Sequence, residues 1–434
     1  MKKILLAFVL LLTSISCFAI VDQTKITIQE AVSIASKNNL DILSSRKTTQ
    51  INEQYIKEAN RFQNPTLGSF YNLGKAGKSE PQGIKISQLI EIGKRSPRID
   101  LAKSNYELSE RLIEYLEFDL RMDVREAYTN LLAKKSVLKT IKKEELILTQ
   151  MLEQAKEKYK TGEVSEIDVL QAQLLLNQII TEVKTAEFAV KTAIYDFNKV
   201  INCPDAFYDT AEDSFTEEYK PLLIPKQNAE MPDFETISTS AINNRYDIKI
   251  ALQQIEVAEK ELLVVLRKKV PDIEFSAGYL YSNKYQNENN KFENGTYLEA
   301  NLVNIPLLYK YKPEIEAAKL KLEQAHLNYA SVENKAENDL KKANEKFLIA
   351  KLTLKNYNEQ LLSNSEELIN ASRAGYYKHD NVDLTTLITM EESYKMIIVA
   401  YTYALAEYYN AWNAFIREVN NEEFTIKENT EEKV

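Results

Sequence analysis

The sequence predicts a mainly α-helical chain with a small β part, in which a long coiled-coil helical hairpin is used twice and four strands are set between the helices. Three observations carry this reading. Of 434 residues only 9 are Gly and 10 are Pro while 27% are charged, a mix suited to long helices rather than many short elements. Apolar residues recur at alternating steps of three and four over spans that ordinary globular helices do not reach. The segment AVSIASKNNLDI at 31–42 returns as ISTSAINNRYDI at 237–248, an offset of 206 that also relates Asn64-Pro65 to Val270-Pro271. Further on, Pro97 and Ala102 match Pro313 and Ala318 at an offset of 216, so the second half carries about ten extra residues between its prolines.

Residues 1–19 read as a secretory signal peptide. Lys2 and Lys3 precede the apolar run Ile4 to Leu12, and Cys17, Phe18 and Ala19 form a small, any, small pattern before Ile20. Cleavage before Cys17 with lipid attachment is the alternative, although Ser14, Ile15 and Ser16 lack the aliphatic residue expected three positions upstream. After cleavage at Ala19 only Cys203 remains, so no internal disulfide forms and stability must come from packing. No later segment approaches roughly 18 consecutive apolar residues, which excludes a conventional transmembrane helix and leaves an exported chain periplasmic, secreted or in an outer membrane.

The first repeat, 20–201, opens with a helix over Ile28 to Phe62, passes through two strands at about 66–92 and enters a helix of about 60 residues. The seam of that long helix reads Ala102, Tyr106, Ser109, Ile113, Leu116, Leu120, Val124, Ala127, Leu131, Leu138, Ile141, Leu148, Leu152, Ala155 and Tyr159, with Lys134 and Glu145 as misses. Leu120 to Val124 repeats a step of four, a stutter that locally unwinds a supercoil. After a hinge at 161–165 the returning helix keeps the alternation without a miss through Val169, Ala172, Leu176, Ile179, Val183, Ala186, Val190, Ala193, Phe197 and Val200.

Residues 202–233 form an acidic, proline-containing linker with Phe207, Tyr208, Phe215 and Tyr219, expected to wrap the helices between the repeats. The second repeat, 234–420, has strands at about 272–306, a seam from Ala318 through Ala336, Leu340, Phe347 and Leu354 to Leu361, and a hinge at 377–383. Its returning seam runs from Leu384 and Leu387 to Trp412 and Phe415 with Glu391 as the exception. A charged tail, 421–434, closes the chain and is expected to move freely. A helix of about 60 residues is roughly 90 Å long and the returning helix only roughly 54 Å, so the two shorter helices are expected end to end beside the long one, in a rod with strands at one end and the hinge at the other.

The strand runs have one apolar and one polar face. Leu67, Ser69 and Tyr71 share a side, as do Ile84 and Ile86, with the turn-rich stretch Gly74 to Gly83 between them. Ile273, Phe275, Ala277, Tyr279 and Tyr281 alternate with Asp272, Glu274, Ser276 and Gly278, and Leu298, Ala300 and Leu302 with Tyr297, Glu299, Asn301 and Val303. Runs of about ten residues with this alternation match outer-membrane strands. Four strands leave two bare edges, and a sheet in lipid must close because each unpaired backbone group there costs several kcal/mol. Three chains would close a shared trimeric twelve-stranded outer-membrane β-barrel, which makes self-association a requirement of the fold.

At the first hinge, Gly162 tolerates positive φ at a helix end, and Ser165 with Asp168 three residues on resembles a capping box. The duplicated helix, hairpin, helix, turn, helix plan, together with GEVSEIDVLQAQ at this hinge, resembles the TolC-type outer-membrane efflux protein family from about residue 26 to 420. The resemblance implies a homotrimer in outer-membrane lipid, a helical tunnel through the periplasm, and a passive duct that serves a tripartite efflux or type I secretion system. It also implies that the hinge ends meet a periplasmic adaptor protein and an inner-membrane pump, through Gly162, Glu163, Ser165, Asp168, Leu170 and Ala172 at the first hinge and His379 and Asn381 at the second. Asp380 and Asp383 are the candidate tunnel-mouth charges. The second hinge departs from the family pattern: His379 stands at the place of Gly162, Thr385 at that of Asp168, and Ile388 where relatives carry a further aspartate.

No catalytic constellation is present. The two histidines, His326 and His379, are far apart, and no glycine-rich phosphate loop, cysteine cluster or nucleophile motif occurs, so neither an enzyme nor a cofactor or metal site is expected. A formal charge of −9, with Lys and Glu interspersed, speaks against a nucleic-acid partner. The rival reading is a periplasmic coiled-coil adaptor or structural rod with a soluble hairpin cap and no membrane barrel.

Overall fold

The computed structural model describes residues 23–71, 82–204, 206–215, 219, 234–281, 294–378 and 382–422. The chain divides into two compact units, one made of residues 1–43, 116–241 and 337–434 and the other of 44–115 and 242–336. Helices in chain order are α1 (Ile28–Asn38), α2 (Leu40–Ala59), α3 (Arg95–Lys160), α4 (Glu166–Ile201), α5 (Phe234–Asn244), α6 (Tyr246–Arg267), α7 (Lys312–Asn356), α8 (Leu362–Lys378) and α9 (Leu384–Val419). Strands are β1 (Gln23–Ile26), β2 (Thr66–Tyr71), β3 (Gln82–Ile90), β4 (Phe207–Thr210), β5 (Asp272–Tyr281) and β6 (Gly295–Val303). Among the described residues no helix is long and apolar enough to cross a membrane.

The opening helix expected over Ile28 to Phe62 is two helices. Asn39 divides them: its amide donates to the carbonyls of Val200 and Ile201, 3.1 and 3.0 Å away, while its side-chain oxygen accepts from the backbone of Asp41 and Ile42. The side chain thus ends α1 and caps α2, the local competition with helix that makes Asn a poor interior residue. The inter-repeat segment holds a strand that hydropathy did not reveal, because β1 and β4 pair in parallel over only four residues each. Beneath them, the Tyr128 hydroxyl donates to the Ile26 carbonyl at 3.1 Å and also to Glu212, and Tyr128 stacks on Tyr219 with centroids 6.1 Å apart. The linker aromatics Phe215 and Tyr219 therefore fill the core that Val124, Leu131, Phe197 and Ile201 form.

In the first unit the seam of α4 lies inward, every one of its ten residues buried or half-buried. Helix α3 follows its seam only in part. Leu116 and Tyr159 on the seam are exposed, while Phe118, Met122, Tyr128 and Leu132, off the seam, are buried. A helix with neighbours on two sides buries two stripes, and a single-seam reading finds only one. Along α7, Ala336, Leu340, Ala343, Phe347, Ala350 and Leu354 do make one continuous buried stripe. That stripe fails at Leu361, which is 44% exposed, because residues Tyr357–Leu361 form a π-helical turn. The extra residue per turn advances the phase, and burial resumes at Ser365, Ile369, Ser372 and Tyr376 of α8. The tail is likewise not free at its start: Glu422 accepts from Arg121 and Arg125, each at 2.6 Å.

In the second unit four strands form one antiparallel sheet in the order β2-β3-β5-β6, so the hairpins of the two repeats join through β3 and β5. Arg98 fastens the sheet to its helices by donating to the carbonyls of Ala59 and Arg61 and to Glu91 at 2.8 Å. The buried Asp272 at the head of β5 accepts from Lys94 at 2.7 Å. The side-chain amide of Gln253 in α6 reaches Ser104 of α3 at 3.1 Å, and its oxygen accepts from Arg111.

Candidate functional site

Both helical turns of the first unit meet at one cleft of about 850 Å³, lined by Lys158, Gly162, Glu163, Ser165, Asp168, Tyr376 and Asp383 among others. Helix α3 ends where Gly162 takes φ +79°, and the Glu163 amide donates back to the Lys158 carbonyl at 2.9 Å. Helix α4 then starts on a reciprocal capping box: the Asp168 amide donates to Ser165 Oγ, and the Asp168 carboxylate accepts from the Ser165 amide at 2.8 Å and hydroxyl at 2.7 Å.

At the second turn Asp383 is the N-cap of α9 and accepts from the Thr386 amide at 2.7 Å. Hydrogen bonding to Thr386 holds its carboxyl below the usual range. Structurally, Asp383 and Thr386 occupy the places of Ser165 and Asp168. The residue at the structural place of Asp168 is therefore Thr386, one position beyond the Thr385 that the family pattern puts there. Thr385 instead donates to Gln171 of α4 at 3.1 Å and links the two hairpins. His379, Asp380 and Asn381 lie outside the described residues.

The other hinge candidates face differently. Ala172 is buried, in a core with Leu148, Met151, Leu152 and Ala155 of α3 and Leu384, Leu387 and Ile388 of α9. Leu170, with Ile167 and Leu174, is exposed and forms an apolar stripe on the outer side of α4. Lys158 sits 4.0 Å from the Tyr376 ring centroid, a cation held against an aromatic face between the hairpins.

Farther along α8 and α9 lies an ionic cluster that hydropathy hid. Glu391, the exception in its seam, is 1% exposed and takes both prongs of Arg373, at 2.6 and 2.7 Å. Lys395 pairs with Glu182 of α4 at 2.9 Å. Glu144 of α3 is buried nearby, and burial, with Glu391 adding repulsion, pushes its carboxyl up to about 7. The signal was the charged residue at a core position, which belongs there only when paired.

The sheet of the second unit is two-faced. Its register places Leu67, Ile84, Ile86, Phe275, Tyr279, Leu298 and Leu302 on one side, and Lys85, Ser87, Glu274, Ser276, Glu299 and Asn301 on the other. The large apolar residues are exposed, Leu298 to 88%. On the polar side Ser87 and Ser276 share a hydrogen bond of 2.8 Å. Strands β2 and β6 are the two edges.

Residues 31–194 match the family model described as outer membrane efflux protein. No curated protein matches the chain in sequence. Among solved structures, the chain is similar to the outer-membrane channel OprN, with 14% identity, a TM-score of 0.73, and coverage of 90% of this chain and 89% of that one. It is similar to the CmeC outer membrane channel of Campylobacter jejuni, with 14% identity, a TM-score of 0.71, and coverage of 90% and 85%. CusC matches at 13% identity and a TM-score of 0.72 over 94% and 95% of the two chains. The resemblance read from the hinge and the duplication is thus met by both a family match and a shared fold.

Proposed function

We propose that this chain, which carries the fold of outer membrane efflux proteins, is a passive outer-membrane duct that works as a homotrimer. The observation that carries this reading is the four-stranded sheet, with one exposed face made mostly of apolar side chains and an unpaired edge on either side. In lipid those edges must be paired, and a second and third copy supply the matching strands. The outer face meets acyl chains; the polar face, with Lys85, Glu274 and Glu299, lines the passage.

The helical hairpins are the periplasmic part, and their hinge cleft with the exposed Ile167, Leu170 and Leu174 stripe takes a periplasmic adaptor that couples an inner-membrane pump. The partners supply the energy for efflux or type I secretion. The test is fractionation followed by sizing and planar-bilayer recording. The duct predicts an outer-membrane protein that needs detergent, sizes as a trimer and conducts ions. A water-soluble monomer without conductance would replace this reading with that of a periplasmic rod.

A further inference from the structure

The two repeats differ where strand gives way to helix. In the first, the connection is residues 91–94, with a single exposed apolar side chain, Ile92, between two fastened ends: Glu91 pairs with Arg98 at 2.8 Å and Lys94 with Asp272 at 2.7 Å. In the second, the connection is residues 304–311, twice as long. It begins with Asn304 at φ +57°, whose amide is anchored on the same Asp272 at 2.9 Å, and ends with Tyr311 at φ +56°, whose carbonyl accepts from Ile315 to open α7. Between these two fixed points Ile305 and Tyr309 are exposed, Leu307 is 75% exposed and Leu308 is fully exposed.

Leaving two leucines and their neighbours in water forgoes roughly 1.5–3 kcal/mol per side chain relative to burying them. The segment follows closely on β6, whose Leu298 and Leu302 belong to the exposed apolar face, and Lys310 and Lys312 come directly after it, both exposed. Apolar tips beside tyrosine and lysine are the composition of the boundary between acyl chains and headgroups. We propose that residues 305–309 dip into the inner leaflet at the foot of the sheet, with Lys310 and Lys312 on the phospholipid phosphates. This inference rests on the outer-membrane reading above and gives the second repeat a lipid anchor of several apolar side chains where the first has only Ile92.

The experiment uses the full chain in vesicles of phosphatidylethanolamine and phosphatidylglycerol containing lipids brominated at different acyl depths. The sole tryptophan, Trp412, is buried and sets the baseline. Leu308→Trp is expected to add emission that shallow bromines quench more than deep ones, since interfacial segments sit roughly 5–10 Å into the headgroup boundary. Phe275→Trp on the apolar strand face is the control. Quenching of the control but not of position 308 overturns the anchor and leaves the barrel intact. Absence of quenching at both positions overturns the barrel reading itself, and the anchor with it.

Discussion

Arg373 and Glu391 hold each other in a two-pronged ion pair across the turn between α8 and α9, at 2.6 and 2.7 Å, with the carboxylate almost wholly removed from solvent. The pair joins two helices of one hairpin, and the Glu391 side chain occupies a place where the seam calls for an apolar residue. Arg373→Met should therefore destabilise the helical unit by roughly 3–5 kcal/mol, because it leaves a buried charge uncompensated. Replacing both residues by Met should recover most of that loss. Denaturant unfolding followed by far-ultraviolet circular dichroism reads both variants.

Glu144 makes the same region sensitive to pH. Its folded-state value of about 7 lies above the ordinary 4.5, so the folded form holds a proton that the unfolded form releases. The resulting stabilisation is fully present below about pH 4.5 and disappears as the pH rises to about 7, a swing on the order of 3 kcal/mol. Glu144→Gln keeps a neutral side chain at every pH. It should flatten this part of the stability profile and be more stable than the parent above about pH 7. A slope unchanged by the substitution would assign the dependence to another group.

Gly278 packs under an aromatic ring. A Cβ there would lie 2.5 Å from the Tyr297 ring and 2.7 Å from the Ile84 carbonyl oxygen. Gly278→Ala should cost roughly 1–3 kcal/mol of sheet stability by overpacking. The fraction of heat-resistant oligomer on gels should fall, and Tyr297→Ala should restore only part of it, since the clash with the backbone oxygen remains.

Ala172 tests the hinge separately from the sheet. Arginine there would force a cation into the core between α3, α4 and α9. On the proposed duct, Ala172→Arg should impair export while the heat-resistant oligomer still forms. Ser165→Ala, which removes one half of the capping box, should cost only about 1 kcal/mol and show as faster amide exchange in the first turn of α4. Full export by Ala172→Arg would mean that the packing of this end does not matter to function.

Periodicity reaches only as far as each helix has one partner. The α4 seam and the α7 stripe were readable because residues off the contact line are mostly exposed there. The inner faces of α3 and α9, with Met122, Tyr128, Leu132, Ala406 and Asn413 also buried, were not, because a second neighbour erases the contrast between faces.

The sequence by itself determined the duplication, the long helices, the strand faces and the first hinge, because each is written in local spacing or in a turn residue such as Gly162. Only the tertiary structure decided that Asn39 splits the first helix, that a π-turn at Tyr357–Leu361 shifts the seam, and that Asp383 rather than its neighbours caps α9. It also decided that Glu391, an apparent fault, is answered by Arg373. Those features depend on partners distant along the chain or on one-residue changes of phase, and an alternation of apolar and polar residues carries no record of which side chain completes which.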